Sequence, residues 1–395
     1  MKRFHPNIYW LGLLSFFNDV TSDMITPFLP AYLKSLGYGA ALLGLMEGLA
    51  QFVSYATMLA SGWMADRTGE NKKITIFGYS LSAVARLSIS IPYVGVVLSG
   101  RVIDRLGKGI RTAPRDALMT ASESPKNWAR AFGLQRAMDH AGALLGASVA
   151  SFVLYKFSIS YSILFLAACF PSVLALFFIA PRISNIPKKI KEIKPRLSWK
   201  ALNPSVKFYI VIIFISALST PSELFLILKL QDLGMPVYQS AWAWLLMTAT
   251  SLVAAYGGGN LGDKKSRRFT IGLGWMMFIV AYVCFAFNQN LMVGWGLMAL
   301  YGLQAGIVEA SERAYAATVA HEDARGTVMG WYYLAYGLGL FPASILFGWI
   351  WKVWGDTTAF LLNAAITFVA LVLLFFLPSD RKNSHALSVP PHEVN

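Results

Sequence analysis

Apolar residues in this chain come in runs of about twenty or more, cut by short polar clusters in which Gly, Pro, Lys and Arg gather. Twelve such runs can be marked, at 8–33, 40–65, 74–92, 95–120, 129–155, 160–180, 206–231, 238–262, 269–288, 291–317, 326–352 and 357–377. A helix needs about 20 apolar residues to cross the hydrocarbon core of a bilayer, so each run predicts one spanning helix. The first run is too long for the core of a secretion signal and lacks a small-residue cleavage site, so it is expected to remain as the first span.

Composition supports the pattern. Of 395 residues, 56% are hydrophobic and only 14% charged, against about 25% charged in soluble domains; the mean hydropathy is +0.53. The fold class expected is all-α and integral to the membrane, with no length to spare for a catalytic or nucleotide-binding domain. Cys169 and Cys284 both fall inside apolar runs and read as small hydrophobes. A net charge of +14 invites a nucleic-acid reading, but the basic residues crowd the loops of one side, among them Arg67, Lys72, Lys73, Lys264, Lys265, Arg267 and Arg268. By the positive-inside rule that side, with both termini, is cytoplasmic, and the partner is the lipid bilayer, not nucleic acid.

Residues 182–205 form the one long polar stretch, rich in Lys and Pro. It divides the chain into a bundle at 1–181 and a second at 206–378, with a tail at 379–395 whose composition predicts disorder. Between spans two and three stands Gly62, Trp63, Met64, Ala65, Asp66, Arg67, Thr68, Gly69; about two hundred residues later Gly259, Asn260, Leu261, Gly262, Asp263, Lys264, Lys265, Ser266 repeats the layout. Such a repeat marks a duplicated helical unit, a common construction in secondary transporters.

Six spans, a basic linker, six more spans and this twice-used loop motif together resemble the major facilitator superfamily, over essentially the whole chain. One departure is that Glu70 and Asn71 precede the basic pair Lys72 and Lys73. The resemblance implies two pseudo-symmetric six-helix bundles and a cytoplasmic gate at Gly62, Asp66 and Arg67 and at Gly259, Asp263 and Lys264. Glycine there permits close helix approach, and an aspartate at a helix end can accept from backbone N–H groups of a neighbour. The same residues also suit the plainer task of ending a helix.

An ionisable side chain at mid-bilayer costs at least about 2.5 kcal/mol, so each one asks for a partner, water or a function. The fourth span carries Arg101, Asp104, Arg105, Lys108, Arg111 and Arg115, three or four residues apart. At helical spacing they form one polar stripe. Asp19 and Asp23 share a face of the first span; Glu47, Arg86, Arg136, Asp139, Glu223, Glu309, Glu312 and Arg313 lie in other spans. The numbers of acids and bases are close, so mutual neutralisation competes with function at every one. The blocks around Asp19 and Asp23, around Arg101 to Asp116, and around Arg136 and Asp139 are similar to a bacterial efflux-permease branch of the superfamily. The resemblance to the superfamily as a whole implies a proton-coupling role for Arg101, the arginine of the fourth span.

His140 beside Asp139 suits a proton relay or an ordinary hydrogen-bonded core site. Metal ligation by Asp19, Asp23 and His140 lacks a paired Cys or His motif, and none is expected. Trp331, Tyr332, Tyr333 and Tyr336 suggest either an aromatic cavity wall or interhelical packing. Gly107, Lys108, Gly109 lacks the frame of a phosphate-binding loop.

The expectation is therefore a proton-coupled secondary transporter, not an enzyme. It moves a small organic solute across a bacterial cytoplasmic membrane by alternating access, as a monomer, with the proton gradient and no cofactor. Asp19, Asp23, Asp139, His140 and Arg101 are the proton-coupling candidates. The solute cavity draws on Glu47, Arg86, Asp104, Arg105, Lys108, Arg111, Arg115, Arg136, Glu223, Glu309, Glu312, Arg313, Trp331, Tyr332 and Tyr336. Export by antiport is the first reading. Import of an anionic metabolite or siderophore by symport is the second, and a polytopic membrane enzyme or receptor is a third of a different class.

Overall fold

The computed structural model describes residues 4–123, 127–157, 159–186, 199, 202–264, 266–319 and 325–377. The expected tail and most of the expected linker lie outside the described residues. The first span is α1 (Pro6–Ile25) and α2 (Leu29–Ser35), joined by a 3₁₀ turn at Thr26–Phe28. Pro27 and Pro30 lack the N–H that a continuous helix would use there. Then come α3 (Ala40–Thr68), α4 (Asn71–Ile89), α5 (Val94–Ser122) and α6 (Trp128–Phe157). The sixth span is α7 (Tyr161–Ala168) with α8 (Phe170–Phe178), parted next to Pro171, and the seventh is α9 (Pro204–Leu218) with α10 (Leu224–Asp232), parted around Pro221. α11 (Ser240–Lys264), α12 (Arg267–Phe287), α13 (Leu291–Val319) and α14 (Arg325–Phe375) complete the order. α14 breaks at Gly355, whose φ of 86° and ψ of 165° are not helical, and so supplies the last two spans.

Sequence chemistry sets the ends. Asn203, Ser160 and Ser266 accept from backbone N–H groups at the starts of α9, α7 and α12, the usual service of an N-cap. α3 stops at Gly69, which takes the left-handed φ of 68° that glycine adopts most cheaply. Among the described residues, 6 helices are long and apolar enough to cross a membrane unaided. α5 is not one of them because its charged stripe interrupts the apolar run.

Packing divides the chain into two compact units. Unit 1 is Met1–Ile193 with Ser222–Leu245; unit 2 is Lys194–Pro221 with Leu246–Asn395. Division by packing thus departs from division by sequence at Ser222–Leu245. In unit 1, α5 lies against α3 and α4, and α1 against α6. These contacts are close because glycine faces backbone: a Cβ on Gly107 would sit 2.6 Å from Gly78 O, and one on Gly142 would sit 2.4 Å from Phe16 O. In unit 2, α14 packs on α9 and α12 on α13 and α14. The duplication is visible in the contacts: Gly109 abuts Ser54, and Gly306 abuts Ser251, each 197 positions later.

Candidate functional site

α5 holds its charges on one face, and the innermost of them meet charges from neighbouring helices. Arg101, Asp104, Arg86 and Glu47 are 1%, 2%, 3% and 1% exposed. Arg101 Nε lies 2.7 Å from Glu47 Oε1, and Arg86 Nε lies 2.9 Å from Asp104 Oδ1. A longer contact of 3.8 Å joins Arg101 to Asp104. Two guanidinium groups and two carboxylates thus alternate, which removes the net charge that burial would punish. Neutral groups add further hydrogen bonds, although Arg101 Nη2 has no partner among the described residues. Arg101 donates to Thr26 at 3.2 Å, Arg86 donates to the Asn18 carbonyl and side-chain oxygens at 3.0 Å, and Ser222 donates to Glu47 Oε2 at 3.3 Å. These four charged residues, expected to line a solute cavity or couple protons, are enclosed by helix packing.

Further along α5 the stripe opens. Arg111 is buried, donates to Ser82 at 2.7 Å and lies over the Tyr79 ring at 4.7 Å. Ser82 in turn donates to the Asp104 carbonyl at 2.9 Å. Arg115, half-buried, pairs with Asp116 at 3.0 Å and donates to Ser15 at 3.3 Å. With its amide oxygen turned to the guanidinium, Gln135 accepts from Arg115 at 2.7 Å and 2.9 Å. Arg105 is half-buried and Lys108 is exposed.

Asp19 and Asp23 on α1 are half-buried, and both are hydrogen-bonded by neutral donors. Asn18 donates to Asp19 at 3.1 Å, and the Trp244 indole bonds to Asp23. Lys108 and Arg105 act on Asp23 through space. Asp139 and His140 are half-buried on α6. Arg136 is exposed, and Glu223 is half-buried at the start of α10. At the other end of α10, Asp232 pairs with Lys34 at 2.8 Å.

Among the described residues, unit 2 holds one deeply buried carboxyl. Glu312 is 2% exposed, enclosed by packing although expected in the cavity lining. Trp275 Nε1 donates to its Oε1 at 3.2 Å, Tyr332 Oη donates to its Oε2 at 3.0 Å, and Tyr209 Oη donates to its backbone carbonyl at 2.7 Å. Glu309 and Arg313 pair with each other at 2.5 Å near the surface. Tyr332 stacks on Tyr336, their ring centroids 6.1 Å apart, and Trp331 meets Trp199 edge-on at 4.9 Å. These aromatic contacts lie within the unit, with Trp331 and Tyr336 half-buried.

At the motif loop, a Cβ on Gly62 would lie 3.3 Å from that of Ala113, so α3 and α5 are close there. Arg67 lies over the Trp63 ring at 4.5 Å. The side chains of Asp66, Asp263 and Lys264, and the surroundings of Gly259, lie outside the described residues. Sequence reasoning passed over Asn18, Thr26, Ser82, Gln135, Tyr209, Ser222, Trp244 and Trp275. Asn18 and Gln135 were signalled as polar residues inside apolar runs; the tryptophans carry no such mark.

The geometry is that of a helical membrane protein with polar knots inside its bundles. The model of the Major Facilitator Superfamily matches residues 11–344 and 225–392. The chain is 33% identical over 390 residues to an uncharacterized MFS-type transporter of Methanocaldococcus jannaschii, covering 95% of this chain and 96% of that one. It is 23% identical over 371 residues to the multidrug resistance protein MdtH of Klebsiella pneumoniae, covering 91% and 90%. In fold it is similar to the nucleoside transporter NupG, with a TM-score of 0.77 at 13% identity over 94% of this chain and 99% of that one. It is also similar to a bacterial homolog of the human lysosomal transporter Spinster in an inward-facing conformation, with a TM-score of 0.78 at 14% identity over 98% of each chain. These structures speak for the fold alone, while the family match and the archaeal relative extend along nearly the whole sequence: the chain belongs to the major facilitator superfamily and is a twelve-helix membrane transporter, not an enzyme.

Proposed function

We propose that this transporter exports a small organic solute across a bacterial cytoplasmic membrane in exchange for protons, with both termini in the cytoplasm, and that it works as a monomer without a cofactor. One observation carries the reading. The arginines best placed to neutralise the bundle are committed to Glu47 and Asp104, while Asp19 and Asp23 are half-buried and bonded by the neutral side chains of Asn18 and Trp244. Among the described residues neither has a contact ion pair, and a half-buried spanning-helix carboxylate of that kind is suited to take up and release a proton. Relatives named multidrug resistance proteins favour the outward direction.

Exposed Lys108 and half-buried Arg105 on α5 support a second reading, import of an anionic solute with protons. Everted vesicles acidified by respiration and loaded with acridine orange separate the two. Export predicts that ethidium restores dye fluorescence in the wild type, and that Asp23→Asn abolishes this while the protein remains in the membrane. Proton movement evoked by citrate and not by ethidium would favour the anion. Wild-type proton flux in the Asp19→Asn, Asp23→Asn double variant would remove these residues from the coupling.

A further inference from the structure

Glu312 is a carboxyl on α13, met by side chains of α9, α12 and α14. The groups facing it can be named element by element. Tyr209 of α9 bonds its backbone carbonyl; Trp275 of α12 and Tyr332 of α14 each take one carboxyl oxygen; Tyr336 stacks behind Tyr332. On α13 itself the adjacent charge is Arg313, which pairs with Glu309 and lies 5.9 Å from the Tyr333 ring centroid. Among the described residues, the carboxyl oxygens of Glu312 are therefore bonded by an indole and a phenol, neither of them charged.

Hydrogen-bond capacity shows what such a cage allows. An ionised carboxylate only accepts, and it has a donor on each oxygen. A protonated carboxyl must also donate, and it needs an acceptor. The Trp275 indole can only donate, so it serves Oε1 in both states. The Tyr332 hydroxyl can rotate from donating to Oε2 to accepting from it. The carboxyl itself finds a partner on each oxygen in both forms without moving a helix, whereas a residue meant to stay ionised in a buried site would be given a guanidinium.

Unit 1 provides the contrast at the equivalent place. With the 197-residue spacing that relates Gly109 to Gly306, Arg115 corresponds to Glu312 and Gln135 to Tyr332. Arg115 bonds Gln135 as Glu312 bonds Tyr332, but Arg115 is a fixed charge with Asp116 as its counter-ion. The same position in the fold holds a permanent cation in one unit and a carboxyl with neutral partners in the other.

We propose that Glu312 is a second proton-binding site, located in unit 2, which takes a proton from water to become a neutral acid and returns it during the transport cycle, with Tyr332 switching between donor and acceptor. This extends the proton-coupled reading above, and it is tested apart from Asp19 and Asp23. Infrared difference spectra of purified, membrane-reconstituted full-length protein carrying Asp19→Asn and Asp23→Asn are recorded across about pH 5 to 9, a range wide enough to catch a carboxyl displaced by its surroundings. The carboxylic-acid carbonyl band should grow as pH falls, and the part lost on adding Glu312→Gln reports the site. Tyr332→Phe and Trp275→Phe keep the carboxyl and should displace the midpoint of that part. A band unchanged by Glu312→Gln, or a Glu312 contribution constant across the range, overturns the proposal. Should Glu312→Gln fail to fold, midpoints unmoved in both aromatic variants overturn it equally. Failure here leaves the vesicle result for Asp23→Asn untouched, and failure there leaves this one.

Discussion

Arg101 is a buried cation that meets Glu47, Thr26 and Asp104. Its spacing from Asp104, Arg105 and Lys108 puts it on one helical stripe, and a stripe of charges on an apolar helix has to be satisfied somewhere. Which acid satisfies which base is not readable from spacing. Glu47 comes from 54 positions away and Arg86 reaches Asp104 across a helix pair; Thr26 and Asn18 fill remaining valences that only the folded geometry defines. Because the four charges are mutually compensating, removing one strands its partner. Arg101→Met is expected to destabilise the protein by about 3 to 5 kcal/mol, the usual penalty for a broken buried pair. Adding Glu47→Leu to it should recover part of the loss. Thermal unfolding of the purified protein in detergent measures both, and an Arg101→Met protein as stable as wild type would mean that water or lipid headgroups satisfy Glu47 and Asp104. Arg115, half-buried and bonded by Asp116, Ser15 and Gln135, should respond less.

Helix existence was legible throughout, because an apolar run of sufficient length has few other fates in a bilayer. Helix continuity was not. The sequence expectation drew spans at 160–180 and 206–231 without interruption, yet α7 and α8 part beside Pro171, and α9 and α10 part around Pro221. Proline removes one donor, but whether the chain bends or breaks there depends on what takes up the freed backbone groups. The close pairing of α1 with α6 was equally invisible, since it rests on which side of α6 Gly142 and Gly146 face. Added Cβ atoms would lie 2.4 Å from Phe16 O and 2.3 Å from Val20 O, so neither alanine fits without parting the helices. Gly142→Ala and Gly146→Ala should each cost about 1 to 3 kcal/mol through overpacking. Gly133 of the same helix has nothing within 4 Å of an added Cβ, and Gly133→Ala should leave the unfolding temperature unchanged or slightly raised. Equal behaviour of all three would show that α1 and α6 separate freely.

At the scale of the whole molecule, the repeat at Gly62 and Gly259 pointed to a duplication, and the packing of Gly109 and Gly306 carries the same 197-residue spacing into the helix contacts. Duplication preserves the frame and lets the polar contents diverge, so sequence symmetry located the spans without revealing that one unit buries ion pairs and the other a carboxyl with neutral donors. Orientation across the membrane follows from charge placement. Loops rich in Lys and Arg resist translocation, and short loops decide the matter more strongly than long ones. Lys73 lies beside the motif loop on the basic side, and Lys352 lies before the break at Gly355 on the side with few charges; both are exposed. A membrane-impermeant maleimide applied to intact cells should therefore label Lys352→Cys and spare Lys73→Cys until the cells are opened. The background needs Cys169 and Cys284 replaced; Cys169 is buried and Cys284 exposed, and alanine at both keeps the apolar character of their helices. The opposite labelling pattern would invert the topology without reversing the transport, because an antiporter moves its solute against the direction in which protons run, and protons run inward whichever face of the protein meets the cytoplasm.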